Sequence, residues 1–114
     1  YLLPRVVGMG RATEILFFGE KITATEAERM GLVNRVVSHD ELLPAAREWA
    51  ARLASGPTLA IGMTKRMLTN EWHMDLASAL ESEAQAQALM LMGEDHRIFY
   101  EAFREKVEPE FIGR

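Results

Sequence analysis

The residues here with types suited to chemistry are three histidines, several acidic pairs and one aromatic–lysine pair. His39, His73 and His96 lie far apart, and no two share the i, i+4 spacing that puts two ligands on one helix face. They read as surface or half-buried helix-end histidines, and no metal site is expected. The acidic pairs are Glu81/Glu83, Glu94/Asp95 and Glu101/Glu105. General acid–base work needs carboxylates in a sheltered pocket that tunes their pKa values. Glu101 and Glu105 stand one helical turn apart, as solvated faces often place them, so no catalytic residue is assigned. Gly8-Met9-Gly10 lacks the glycine spacing of a phosphate loop. Phe103 and Lys106 are the more informative pair, because a spacing of three projects both to one side of a helix. An aromatic face can stack on a purine, and an ammonium can meet a phosphate. Taken alone, the same two residues also fit a core anchor and a solvated charge.

The elements that must position these residues are helical. Composition is that of a globular protein, 48% hydrophobic and 26% charged over 114 residues, which is one small domain. Thirteen basic against 17 acidic residues give a net charge of -4, so neither a nucleic acid nor an anionic membrane is expected as partner. There is no cysteine, which removes disulfides, thiolate nucleophiles and Cys-ligated zinc. A reducing cytoplasmic location fits. No apolar run has the length of a membrane span, and no signal peptide is visible. The opening Tyr1-Leu2-Leu3-Pro4-Arg5 has no initiator Met and reads as the interior of a longer protein.

Pro4 is read as a turn, followed by a short helix from Arg11 to Phe18 that Gly19 ends. Thr23 and Glu26 form a capping box, with Ile22 and Ala27 at the staple positions and Gly31 closing the helix. Leu32–Val37 is the one strand-like run, rich in β-branched residues. Ser38 and Glu41 suggest a second capping box, although Pro44 must lie in the first turn, which makes Asp40 the alternative cap. Leu42, Ala46, Trp49 and Leu53 share one face of that helix. Pro57 opens a helix from Thr58 to about Asn70, with Ala60, Met63 and Met67 on one face. The methionines read as adaptable packing, with a flexible acyl-binding surface as the sharper alternative. Asp75 caps a long helix to Met92 whose seam is Leu76, Leu80, Ala84, Gln87 and Leu91. Its end, Ala88–Met92, is apolar on every side and points to a partner surface. Glu94 to Lys106 is the last helix, with Phe99, Ala102, Phe103 and Lys106 on one face, and a tail follows. The expected class is mainly α, with at most one short strand near 32–37.

In this order the motifs become recognisable. Leu3-Pro4-Arg5-x-Val7-Gly8, Arg11-Ala12-x-Glu14 and Gly19-Glu20-x-Ile22-Thr23-Ala24 come first. Ala27-x-x-x-Gly31-Leu32-Val33-Asn34-x-Val36-Val37 and Ala54-x-Gly56-Pro57 follow. Thr64-Lys65-Arg66, Glu83 and Asp95-His96-Arg97 lead to Ala102-Phe103-x-Glu105-Lys106 and Pro109-x-Phe111. Together they resemble the C-terminal part of the enoyl-CoA hydratase/isomerase (crotonase) family, across essentially the whole chain.

The resemblance implies residues 1–37 as the end of a β/α spiral core, 38–106 as a helical oligomerisation region and 107–114 as a tail. It implies an acyl-CoA substrate, trimers or hexamers, and no cofactor beyond the coenzyme A of the substrate. The implied parent reaction is hydration of a 2-enoyl-CoA or double-bond isomerisation, through an enolate held by two backbone N–H groups. The family's catalytic glutamates and oxyanion loops precede Leu3-Pro4-Arg5, so the 114 residues alone are expected to be inactive. What carries over is Phe103 and Lys106, at the family's aromatic and lysine that border the CoA adenine and phosphate end, often in a neighbouring subunit's site. Val107 departs from the pattern, where a basic residue is common. A non-catalytic helical assembly module, or a crotonase relative with other thioester chemistry, is the alternative.

Overall fold

Hydrogen bonds between near neighbours in sequence end most of the helices, and they mark the architecture. The computed structural model describes all 114 residues, Tyr1–Arg114. Seven α-helices follow one another: α1 Leu3–Val7, α2 Met9–Phe18, α3 Ala24–Arg29, α4 Leu42–Ala54, α5 Thr58–Asn70, α6 Leu76–Leu91 and α7 Glu94–Glu105. Single 3-10 turns at His39–Glu41 and Glu71–His73 precede α4 and follow α5. No strand forms, and no helix is long and apolar enough to cross a membrane. The chain divides into two units, Tyr1–Ala45 and Ala46–Arg114.

In the first unit α1 packs on α2, and Ala12 of α2 is buried. Pro4 starts α1 and does not merely turn the chain. It sits in the first helical turn, where a missing N–H leaves no bond unmade. The capping box of α3 forms as the sequence indicates. The Glu26 N–H donates to Thr23 Oγ1 at 3.2 Å, and the Thr23 N–H donates to Glu26 Oε2 at 3.0 Å. At the other end Gly31 takes φ +78, so its N–H reaches the Glu28 carbonyl at 3.0 Å and the Leu32 N–H reaches that of Ala27 at 2.8 Å. That 6→1 and 5→2 pair is a Schellman closure, which a left-handed glycine permits without a Cβ clash.

The strand-like run at 32–37 is not a strand. A β-branched segment becomes one only against a partner ladder, and none is offered here. The segment is fastened instead by one side chain, Glu28 Oε1 accepting the Val36 N–H at 2.9 Å. Ser38, not Asp40, closes the next box: its N–H and hydroxyl both donate to Glu41 Oε2, at 3.3 and 2.7 Å.

In the second unit α5 packs on α6 and α6 on α7. Half-buried Ala60, Met63 and Met67 form the inner face of α5, as their spacing indicates. Asp75 caps α6 by accepting the Ser78 N–H at 2.9 Å. The inner face of α6 is not the expected seam. Ala79, Ser82, Ala86 and Met90 turn inward, while Leu76 and Leu80 are 76% and 57% exposed. Small residues let the helix backbones approach, and Ser82 Oγ lies 4.0 Å from Met67 Sδ. Met92, at the apolar end of α6, is 80% exposed. Across both units the buried apolar residues are Ala12, Ala27 and Ala102, and no large side chain is fully enclosed.

Candidate functional site

α7 carries Phe103 and is the most strongly amphipathic helix of the chain, but it ends at Glu105, so Lys106 follows the helix and is not its last residue. Its first turn holds Glu94 and Asp95, which suit the positive end of the helix dipole. Asp95, Ile98 and Ala102 make the inward stripe at i, i+3 and i+7. Phe99 borders an apolar cavity of about 240 Å³ together with Leu59, Met90 and Phe111. The Phe103 ring lies 6.2 Å from that of Phe99 with an interplanar angle of 25°, and Phe103 is 72% exposed. A stacked aromatic pair therefore ends in a free outer face.

Lys106 stands one turn further on, immediately beyond the helix, at φ 57 and ψ 41. It is the one residue other than glycine with positive φ. Its N–H and that of Val107 both donate to the Ala102 carbonyl, the latter at 3.0 Å. This closure usually employs glycine. A lysine there holds its backbone in a region that costs an L-residue about 1–2 kcal/mol. Its side chain is exposed and enters no ion pair. The end of α7 thus carries one exposed ring and, three residues on, one exposed cation without an ion-pair partner. The neighbouring cations are engaged elsewhere: Arg97 pairs with Glu101 at 2.9 Å, and the Arg104 guanidinium lies 5.9 Å from the Tyr100 ring centroid.

Each acidic pair has a member with a structural use. Glu81 accepts from Gln85 at 2.8 Å, Glu101 from Arg97, and Glu94 meets Arg114 at 3.4 Å. His39 opens one 3-10 turn, His73 closes the other, and His96 borders the apolar cavity on the exposed side of α7. No three His, Asp or Glu side chains gather as a metal-holding group.

Sequence reasoning missed Asp95, which at 8% exposure is the one buried charged residue. Its Oδ1 accepts the Ile112 N–H at 2.8 Å, its Oδ2 accepts the Gly113 N–H at 3.0 Å, and its own N–H donates to the Arg114 carbonyl at 2.9 Å. Residues 107–114, the expected tail, thus form a strap tied back to the start of α7. Pro109, Phe111 and Gly113 are half-buried and alternate with exposed Glu108, Glu110 and Ile112, the period of extended chain. That alternation was the available signal. Gly113 sits at φ +79, and a Cβ there would lie 2.6 Å from Thr58 Oγ1, so the strap passes close over the start of α5.

Comparison with known proteins places this geometry in a family. The family model for enoyl-CoA hydratase/isomerase matches residues 1–114. A crotonyl-CoA hydratase of Syntrophomonas wolfei is 38% identical over 98% of the chain and 43% of its own length. A 1,2-epoxyphenylacetyl-CoA isomerase of Escherichia coli K12 is 32% identical over 100% of the chain and 44% of its own. The crystal structure of an enoyl-CoA hydratase from Bacillus anthracis superposes with a TM-score of 0.92 at 36% identity, covering 98% of this chain and 43% of that one. The chain thus spans less than half the length of the relatives it matches. It belongs to the enoyl-CoA hydratase/isomerase family.

Proposed function

We propose that this chain supplies the coenzyme A edge and the subunit contacts of an acyl-CoA hydratase or isomerase. Phe103 stacks on the adenine, and Lys106 pairs with a phosphate at the same end of the ligand, in its own or a neighbouring subunit's site. The observation that carries this reading is the juxtaposition on one helix end: a ring 72% exposed, and a lysine without an ion-pair partner in a conformation usually left to glycine. Backbone strain of this kind is retained where a side chain has a task. The names of two relatives, a crotonyl-CoA hydratase and a 1,2-epoxyphenylacetyl-CoA isomerase, support that ligand class.

The reaction of the complete enzyme is addition of water to a 2-enoyl-CoA, or double-bond migration. Its catalytic carboxylates lie outside these 114 residues, in keeping with the use of Glu26, Asp95 and Glu101 in a cap, the strap and an ion pair. Titration of the full-length protein with CoA tests the reading. Phe103→Ala with Lys106→Ala should weaken binding about tenfold, the loss of one base stack and one charged contact. Unchanged affinity would leave only an assembly role.

That assembly role has its own support in Leu89, Leu91 and Met92, which lie together at the end of α6 and are 54%, 51% and 80% exposed. A cluster of exposed large apolar side chains marks a surface suited to a partner. Solution mass of the chain checks it, and a stable monomer at high concentration counts against it.

A further inference from the structure

We infer that Asp95 is a positioning residue for the coenzyme A edge, acting through the C-terminal strap on Lys106, about one helix length away. The inference rests on the coenzyme A reading of Phe103 and Lys106.

The strap is tied at both ends of α7. At one end the chain reverses through the left-handed Lys106, with the N–H groups of Lys106 and Val107 on the Ala102 carbonyl. At the other, the Asp95 carboxylate takes the N–H groups of Ile112 and Gly113, and the Asp95 N–H meets the Arg114 carbonyl. Between the ties lie Pro109, whose ring fixes φ, and Glu108, which a following proline biases to extended backbone.

The strap is short. α7 rises about 15 Å from Asp95 to Glu105. The chain from Val107 to Ile112 reaches at most about 17 Å when fully extended. A strap this short returns to Asp95 most directly by reversing where the helix ends. Lys106 is where that happens, so the tie at Asp95 adds to the local bonds on the Ala102 carbonyl in holding Lys106 left-handed. Without the tie, α7 can end one residue earlier or later, and the ammonium moves relative to the Phe103 ring.

The carboxylate is suited to the task. It is buried, and it accepts through both oxygens from consecutive backbone donors, a charge-assisted arrangement stronger than a neutral pair. The Arg114–Glu94 pair beside it is exposed and contributes little.

The test uses the full-length protein with coenzyme A as probe. Asp95→Ala, and a chain ending at Glu110, should each weaken CoA binding about fivefold, the scale of a coupling carried through packed structure. The double change should be no worse than either alone. KM for the acyl-CoA should rise while kcat holds, a split that general destabilisation would not give. The Lys106 and Val107 amides should exchange faster in Asp95→Ala. Should Asp95→Ala not fold, Asp95→Asn, which keeps one acceptor oxygen, should give an intermediate loss. Parent-like CoA affinity in the Asp95 variants, with Lys106→Ala weakened, would overturn the inference and leave the coenzyme A reading standing. Parent-like affinity in Lys106→Ala would remove that reading and the inference with it.

Discussion

Replacing Lys106 by glycine should make the protein more stable and a poorer ligand of coenzyme A at the same time. The backbone at φ 57, ψ 41 costs an L-residue about 1–2 kcal/mol. Glycine escapes that cost but loses about 0.5–1 kcal/mol more backbone freedom on folding. The net gain is roughly 0.5–1 kcal/mol, or an increase in Tm of roughly 2–8 °C for a domain of this size. Lys106→Ala separates the two effects, because alanine keeps the strained backbone and loses only the exposed ammonium. Its Tm should match that of the parent. Both variants forfeit the same charged contact, worth about 1 kcal/mol at an exposed position, so CoA should bind each about fivefold more weakly. Thermal unfolding and CoA titration on the three proteins give the comparison, and raising the salt should shrink the affinity difference. A glycine variant less stable than the alanine one would refute the reasoning, since the left-handed closure would then not exist in solution.

Acidification should loosen α3, α4 and α6 first. Glu26 and Glu41 are held below the usual carboxylate range by the hydroxyls and N–H groups of Thr23 and Ser38, and Asp75 by the N–H and hydroxyl of Ser78. A folded-state pKa below the unfolded one gives stability that is present above the unfolded pKa and lost as pH falls through the folded one. Far-UV circular dichroism should follow that loss, and Thr23→Val should raise its midpoint; an unmoved midpoint refutes the assignment for α3. Gly113→Ala should cost about 1–2 kcal/mol, from positive φ and the contact with Thr58 Oγ1, and an unchanged Tm would mean the strap does not pass there. Pure samples of the 114 residues should not hydrate crotonyl-CoA, and measurable turnover would overturn the placement of the catalytic groups.

What the sequence made legible was what neighbouring residues decide among themselves. Thr23 with Glu26, Ser38 with Glu41, Asp75 and Gly31 each signal a terminus through bonds that close within a few residues. Features settled by distant partners were not legible. Leu32–Val37 has strand composition, but a ladder needs a second strand. α6 is apolar all round near its end, so periodicity could not choose the inner face, and the small residues Ala79, Ser82 and Ala86 decided it. Phe103 and Lys106 were singled out only through family order, because nothing local separates a binding pair from a packing residue and a solvated charge. Asp95 looked like one more acid in a first turn. Its role depends on residues 112–114, which return to it only in three dimensions.

The buried apolar core described above consists of alanines, and its consequence is calorimetric. Heat capacity and denaturant slope on unfolding both scale with the surface newly exposed. Melting of the chain by itself should therefore release little apolar area, giving a broad transition, a shallow urea dependence and a flat curve of stability against temperature. Covering the exposed leucine, methionine and phenylalanine faces should sharpen all three together, and Tm should climb with protein concentration, as mass action requires when only the folded form associates.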